Sequence, residues 1–222
     1  MVRTVNIGYE KSGCKRSPGR PRSERARQAI LGCTLTFLED KANGFSGLTI
    51  EHVAAEAGVG KATVYRWWPT KAALLADAFA SRVTQKLHFP DTGSVGRDMN
   101  LQMHQLASIM RSRRGNILSA ILGAGQSDKT LISAFRERFL KPRRAEAYAT
   151  LQRGVVRGEL PADLDLNMVL DALYGPLYMR FLLRHDRLTP GFVDQLCELV
   201  LGGIVREVPT GGQSQRRVSG GK

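Results

Sequence analysis

The positions of the apolar residues predict that the chain is built from helices. From Ser23 onward, Ile30 and Phe37 fall on one helix face, and Asn43-Gly44 is a turn signal that ends this first helix. Apolar residues then recur at three- and four-residue spacing nearly to the C-terminus, and we find no internal repeat and no alternating strand pattern. The sequence therefore predicts an all-α fold.

The next segment predicts two short helices joined by a tight turn. Thr49 suits the N-cap of a helix over Ile50–Ala57, because its hydroxyl can accept a hydrogen bond from an unpaired N–H group of the first turn. Gly58 ends that helix, and another runs over Lys61–Trp67 until Pro69 restricts the residue before it. Two short helices around a glycine-containing turn are typical of a helix-turn-helix.

A Pro-, Gly- and Asp-rich stretch at 88–96 separates this unit from the rest of the chain. A fourth helix, capped by Thr70, precedes the stretch. The sequence therefore divides into four regions: a basic arm at 1–22, a helix-turn-helix domain at 23–87, a helical domain at 96–207 and a polar tail at 208–222. The arm and the tail are both expected to be disordered. The second domain is predicted to hold helices over 98–112, 116–123, 128–156 with a break near Pro142, 165–184 with a kink at Pro176, and 190–205.

The charge points to a polyanionic partner. The 222 residues carry a net charge of +13. The arm alone holds six basic residues against Glu10, a net charge of +5. Such an excess attracts phosphates and suits a nucleic acid, although a solubilising tail is the alternative interpretation of the arm.

The remaining composition favours a cytoplasmic, non-enzymatic protein. We find no signal peptide, and no apolar run reaches the roughly 20 residues that span a membrane. The chain has an odd number of cysteines that lie far apart, Cys14, Cys33 and Cys197, which indicates free thiols. Their spacing is not that of metal ligands. The four histidines are scattered, and no paired carboxylates, phosphate loop or nucleophile–base set points to catalysis. We expect no cofactor, no metal and no membrane partner.

The helix-turn-helix sequence resembles the TetR/AcrR family of transcriptional regulators, over about Ser23 to Val83. Two positions depart from the family pattern: Gly60 stands where a serine is usual, and the Trp67-Trp68 pair stands where smaller aromatics are common. The resemblance implies an N-terminal DNA-binding domain and a C-terminal ligand-binding and dimerisation domain. It is carried by Gly44-Phe45, Leu48–Ala54, Ala57–Lys71 and Leu74-Leu75.

The resemblance also implies the DNA-contacting residues. The major groove admits one helix, so polar residues of the second short helix should reach the base edges while Val64 and Trp68 face the core. Thr49 resembles a phosphate contact, and Gly60 lacks the hydroxyl contact of the usual serine. Groove-facing positions are Lys61, Ala62, Thr63 and Arg66, and backbone anchors are Tyr65, Trp67 and Lys71.

The arm adds a second candidate DNA contact. Pro18-Gly19-Arg20-Pro21-Arg22 resembles the core of an AT-hook, in which arginines enter the narrow minor groove of A·T-rich DNA. Arg20 and Arg22 are therefore predicted DNA-binding residues. A nonspecific phosphate-binding arm remains the alternative.

The last two apolar helices resemble the homodimer interface of the family, where two helices from each subunit form a four-helix bundle. The predicted interface residues are Leu166, Leu170, Leu177, Phe192, Leu196, Val200 and Ile204.

The family also implies a ligand pocket among the C-terminal helices, although an apolar stripe equally suits a filled core. Few charged residues fall on the predicted inner faces, so a largely apolar effector is expected. The predicted lining residues are Met103, Ile109, Met110, Ile121, Phe135, Phe139, Tyr148, Leu173, Tyr174 and Phe181.

The sequence thus predicts a homodimeric repressor that leaves a pseudo-palindromic operator in double-stranded DNA when a small, largely apolar ligand binds. A DNA-binding architectural or partner-controlled regulator without a ligand is the alternative, and a filled C-terminal core would favour it.

Overall fold

A computed structural model describes residues 23–39 and 47–203 and confirms the all-α fold, with no strand among these residues. Ten α-helices run through the described part of the chain: α1 (Glu24–Glu39), α2 (Ile50–Glu56), α3 (Lys61–Trp67), α4 (Lys71–Val83), α5 (Val95–Arg111), α6 (Arg113–Gly125), α7 (Lys129–Phe135), α8 (Lys141–Val156), α9 (Leu166–Leu183) and α10 (Pro190–Leu201). Arg20, Arg22, Cys14 and Ile204 lie outside the described residues.

Side-chain caps explain where several helices begin. The hydroxyl of Ser94 accepts a hydrogen bond from the backbone N–H of Arg97, so α5 starts at Val95, three residues earlier than predicted. The hydroxyl of Ser112 likewise caps the start of α6. This helix extends beyond the predicted 116–123 at both ends. The α5 helix thus begins one residue before the predicted domain boundary at 96.

The predicted break near Pro142 is a π-helical turn, Arg136–Leu140, between α7 and α8. Pro142 is the second residue of α8, directly after this turn, and it has no N–H group to donate to a carbonyl of the turn. The wider π-helical turn changes the register between the two helices, so the inward-facing side of α8 is not in line with that of α7. Pro176, in contrast, lies inside α9 without ending that helix.

The α4 helix joins the two predicted domains. It packs against α1 on one side and against α7 and the π-helical turn on the other. The ring of Phe79 in α4 lies 6.0 Å from the ring of Phe135 and 5.0 Å from that of Phe139, measured between centroids. One continuous set of buried apolar residues therefore extends from the helix-turn-helix into the C-terminal helices. Farther along the chain, α10 packs on α5, and α9 packs on α8 and α10.

Two features are absent from the part of the chain that the structure describes: a membrane-spanning helix and a metal centre. No helix there is long and apolar enough to cross a membrane. No group of three or more His, Cys, Asp or Glu side chains within 23–39 and 47–203 is placed to hold a metal ion.

Candidate functional site

The helix pair α2–α3 has the geometry predicted from its sequence. Thr49 caps α2, with its hydroxyl accepting from the backbone N–H of His52 at 3.2 Å. Gly58 adopts a φ of 65°, a left-handed conformation that favours glycine and lets the chain reverse between the helices. Val53, Ala54 and Val64 are buried where α2 and α3 meet, so the pair is held as a rigid unit.

The outer surface of α3 is polar and accessible. Lys61, Ala62, Tyr65 and Arg66 are exposed, while Thr63 is half-buried. Four of the predicted DNA-binding residues thus share the open side of one helix. Gly60 is the N-cap of α3, and it supplies no side-chain hydrogen bond to the first turn.

Two cations on α3 differ in their surroundings. The Nζ atom of Lys61 lies 2.8 Å from Oε1 of Glu51 on α2, and this hydrogen bond lowers the pKa of the Glu51 carboxyl. Among the described residues the guanidinium of Arg66 has no hydrogen bond or ion pair. Arg66, unlike Lys61, can therefore bind a phosphate or a base edge without first breaking a contact within the protein.

Two of the predicted backbone anchors are only partly accessible. Trp67 is half-buried, and the guanidinium carbon of Arg27 lies 5.7 Å from its ring centroid, which places a cation from α1 beside it. Lys71, the first residue of α4, is also half-buried.

Trp68 connects the end of α3 to the C-terminal helices, a link that the sequence did not reveal. The side chain is 1% exposed, which confirms its predicted place in the core. Its Nε1–H donates to Oδ2 of Asp77 on α4 at 2.8 Å. Nη1 of Arg138, in the π-helical turn, donates to the same oxygen at 2.7 Å. Because Asp77 and Arg138 are 61 residues apart, local periodicity gives no signal for their contact.

A cavity of about 350 Å³ opens among the C-terminal helices. It lies between α5, the π-helical turn, α8 and α9. Its largely apolar wall carries polar groups from three of these elements. The lining residues are Leu87, Gln102, Leu106, Phe139, Leu140, Arg143, Arg144, Asp171, Tyr174, Gly175 and Tyr178.

Most residues predicted to line a pocket lie elsewhere. Phe139 and Tyr174 do line this cavity. Tyr148 is 39% exposed, because the π-helical turn that replaces the predicted break at Pro142 sets which residues of α8 face inward. The others are buried in the core and are not among the residues lining this cavity: Met103, Ile109, Met110, Ile121, Phe135, Leu173 and Phe181.

Charged residues line the cavity, contrary to the expectation of an almost uncharged interior. Arg144 Nη1 lies 2.6 Å from Oδ1 of Asp171 on α9. Arg143 pairs with Glu146 and donates from Nη1 to the carbonyl oxygen of Leu87 at 3.1 Å. Each guanidinium therefore has a carboxylate partner within the protein.

The predicted dimer residues are largely inside the protomer. Leu166, Leu170, Leu177 and Leu196 are at most 6% exposed, so they have almost no surface left for a partner. Phe192 and Val200 are half-buried, and the guanidinium of Arg180 covers the Phe192 ring. The apolar residues that α9 and α10 expose are different ones, here called the exposed apolar face: Met168, Ala172, Gly175, Met179, Leu182, Leu183 and Leu199.

Two family models match the chain. Residues 41–78 match the model described as bacterial regulatory proteins, tetR family. Residues 89–200 match the model described as tetracyclin repressor-like, C-terminal domain. The two matches flank the end of α4 and together span most of the described residues.

Relatives and solved structures agree with both models. The uncharacterized HTH-type transcriptional regulator YdeS of Bacillus subtilis is 38% identical over 186 residues, 84% of this chain and 93% of that protein. The crystal structure of the TetR family transcription regulator SCO0332 is 34% identical, with a TM-score of 0.72 over 81% of this chain and 98% of that one. The Bacillus subtilis regulator FadR in complex with stearoyl-CoA is 18% identical, covers 80% of this chain and 99% of that one, and shares the fold with a TM-score of 0.61.

Proposed function

Because the chain belongs to the TetR family of bacterial transcriptional regulators, which bind DNA and are not enzymes, we propose that it is a ligand-released repressor. In this proposal a homodimer holds a pseudo-palindromic operator, and a small molecule in the cavity favours a state that fits the operator poorly. A regulator of this kind acts on DNA in the cytoplasm.

The open surface of α3 is the observation that carries the proposal. A two-fold dimer presents two copies of this helix, and operators of such dimers have half-sites about one turn, ~34–36 Å, apart. The exposed Arg66 has its donors available for guanine acceptors or for phosphates. The operator sequence itself is to be obtained by selecting duplexes from a random pool with the wild-type protein.

Replacing Arg66 with Ala is expected to weaken binding to the selected duplex at least about tenfold, since the dimer loses one contact in each half-site and one good base contact is worth about 1–3 kcal/mol. Fluorescence anisotropy with a labelled duplex measures the change. Arg97→Ala is the matched control, because it removes one exposed positive charge from α5, away from α3. Equal losses in the two variants would mean that α3 is not the recognition helix.

The exposed apolar face supports the homodimer. Its α9 members follow the three- and four-residue spacing of one helix side, from Met168 to Leu183. Exposed apolar surface of this extent marks an interaction site in soluble proteins. A second copy of the same two helices completes a four-helix bundle, in which the partner covers Met179 and Leu199.

The cavity supports a small-molecule effector over a regulator without a ligand, since a filled C-terminal core would have favoured the latter. Its volume of about 350 Å³ falls within the range of about 300–1,000 Å³ of ligand sites. The FadR structure with stearoyl-CoA is an example of this fold holding a small molecule. Release from DNA is limited to the ligand's differential affinity for the two states of the dimer.

We further propose that the arm at 1–22 contacts DNA through Arg20 and Arg22. Deleting residues 1–22 is then expected to make the affinity less dependent on salt, because the slope of log K against log[salt] falls by about 0.9 for each phosphate that the arm no longer neutralises. Titrations of the full chain and the deletion between 50 and 200 mM salt, roughly the range over which such slopes are evident, measure the difference. An unchanged slope would assign the arm a role in solubility only.

A further inference from the structure

The amide of Gln102 has one partner and one open side. Its Oε1 accepts a hydrogen bond from the hydroxyl of Tyr174 at 2.7 Å. Its amide NH₂ group has no acceptor among the residues that the structure describes. The residue is only 2% exposed and lines the cavity. The amide therefore offers an unused donor to the cavity, and a ligand oxygen at this place can accept from it.

Both tyrosine hydroxyls of the cavity are protonated. The Tyr174 hydroxyl donates to Oε1 of Gln102, and burial raises the pKa of its phenol. Burial also raises the pKa of Tyr178 to about 12. Its hydroxyl, which has no hydrogen-bond partner among the described residues, remains a second donor in the wall of the cavity.

The charges around the cavity are already balanced. The Arg144 guanidinium pairs with Asp171 at 2.6 Å, and Arg143 pairs with Glu146. A ligand carboxylate would have to displace one of these partly exposed partners, at a small cost, or remain an uncompensated charge beside a largely apolar wall, which costs more. A neutral oxygen acceptor meets the Gln102 donor without either cost.

We propose that the effector is a neutral, largely apolar molecule whose carbonyl oxygen accepts a hydrogen bond from the side-chain amide of Gln102. This assignment rests on the proposed sensor function and specifies the chemistry of its ligand. The carbonyl fixes the orientation of the molecule, while the aromatic and aliphatic wall around Phe139 and Leu106 holds its apolar body.

The test uses three scaffolds, each as a ketone, a hydrocarbon and a carboxylate: benzophenone, diphenylmethane and diphenylacetate; fluorenone, fluorene and fluorene-9-carboxylate; butyrophenone, butylbenzene and 4-phenylbutyrate. Isothermal titration calorimetry with the full-length protein gives each dissociation constant. We expect at least one ketone to bind about tenfold more tightly than its hydrocarbon, as one net hydrogen bond allows. Its carboxylate should bind more weakly than the ketone.

Two variants test whether Gln102 causes the preference for ketones over hydrocarbons. Gln102→Met keeps an apolar side chain of similar length and removes the donor, so the ketone-to-hydrocarbon ratio of affinities should fall close to one. Gln152→Met is the matched control, because it makes the same replacement at an exposed position of α8 that does not line the cavity, and the ratio should stay at its wild-type value. Melting curves of both variants verify that they are folded before binding is compared.

The outcomes separate the ligand chemistry from the sensor function. Tighter binding of hydrocarbons or carboxylates than of ketones, or an unchanged preference in Gln102→Met, would overturn the carbonyl assignment while leaving a ligand cavity. No binding by any of the nine compounds would instead contradict the sensor function itself.

Discussion

Replacing Leu199 with Glu is expected to convert the dimer into a monomer and to weaken operator binding by about 10²–10⁴-fold. Leu199 is 79% exposed in the protomer, so the substitution removes no contact of the protomer core. In a two-fold dimer each substitution occurs twice, and a charged side chain in an apolar interface loses its hydration without gaining a partner. The affinity falls because the second half-site is then bound as a separate event instead of an intramolecular one.

Size-exclusion chromatography with light scattering measures the mass, and anisotropy with the selected duplex measures the affinity. Val156→Glu is the matched control, because Val156 is an apolar residue of α8, 80% exposed and outside the exposed apolar face. It should leave both mass and affinity unchanged. A Leu199→Glu protein that stays dimeric would place the interface on another surface.

The predicted dimer residues show what the spacing of apolar residues can predict and what it cannot. The α9 helix has apolar residues on nearly every side, since Leu170 faces the protomer core while Met179 is open to solvent. A helix that packs both on its own domain and on a partner has no polar face to mark the outside. The sequence therefore predicted an apolar helix at this place, but it could not tell which of its apolar residues the protomer itself covers.

The cavity was harder to predict for a different reason. Pro142 predicted a break near this point, but not that the break is a π-helical turn at Arg136–Leu140, which changes the register between α7 and α8. Arg143 and Arg144 consequently line a cavity, although the sequence placed few charges on inner faces. The helix-turn-helix, in contrast, was predictable nearly residue by residue, because its caps, its turn glycine and its short helices are all local in sequence.

A short series of side-chain contacts connects the cavity to α3. Phe139 and Leu140 line the cavity, and the neighbouring Arg138 contacts Asp77, which holds the indole of Trp68 at the end of α3. A ligand that shifts the π-helical turn would act on this contact first. In the proposed sensor, the stability of the site around Trp68 therefore bears on both DNA binding and ligand-driven release.

Replacing Trp68 with Ala is expected to lower the free energy of unfolding by about 3–5 kcal/mol, the usual cost of truncating a large buried aromatic side chain. The ring is 1% exposed, and its loss leaves a void and takes one hydrogen-bond donor from Asp77. Urea unfolding at a fixed protein concentration measures the change, because the stability of a dimer depends on concentration.

Two further substitutions make the result interpretable. Trp67→Ala removes the same side chain one residue earlier, where the ring is half-buried, and should cost clearly less. Trp68→Phe keeps most of the packing but not the donor, while Arg138 still donates to Asp77, so it isolates the Trp68–Asp77 hydrogen bond at about 1.5–3 kcal/mol, the usual contribution of a hydrogen bond to a charged group. If Trp67→Ala is as destabilising as Trp68→Ala, the buried indole is not what fixes the end of α3, and the contact through Asp77 to Arg138 cannot be the link between cavity and recognition helix.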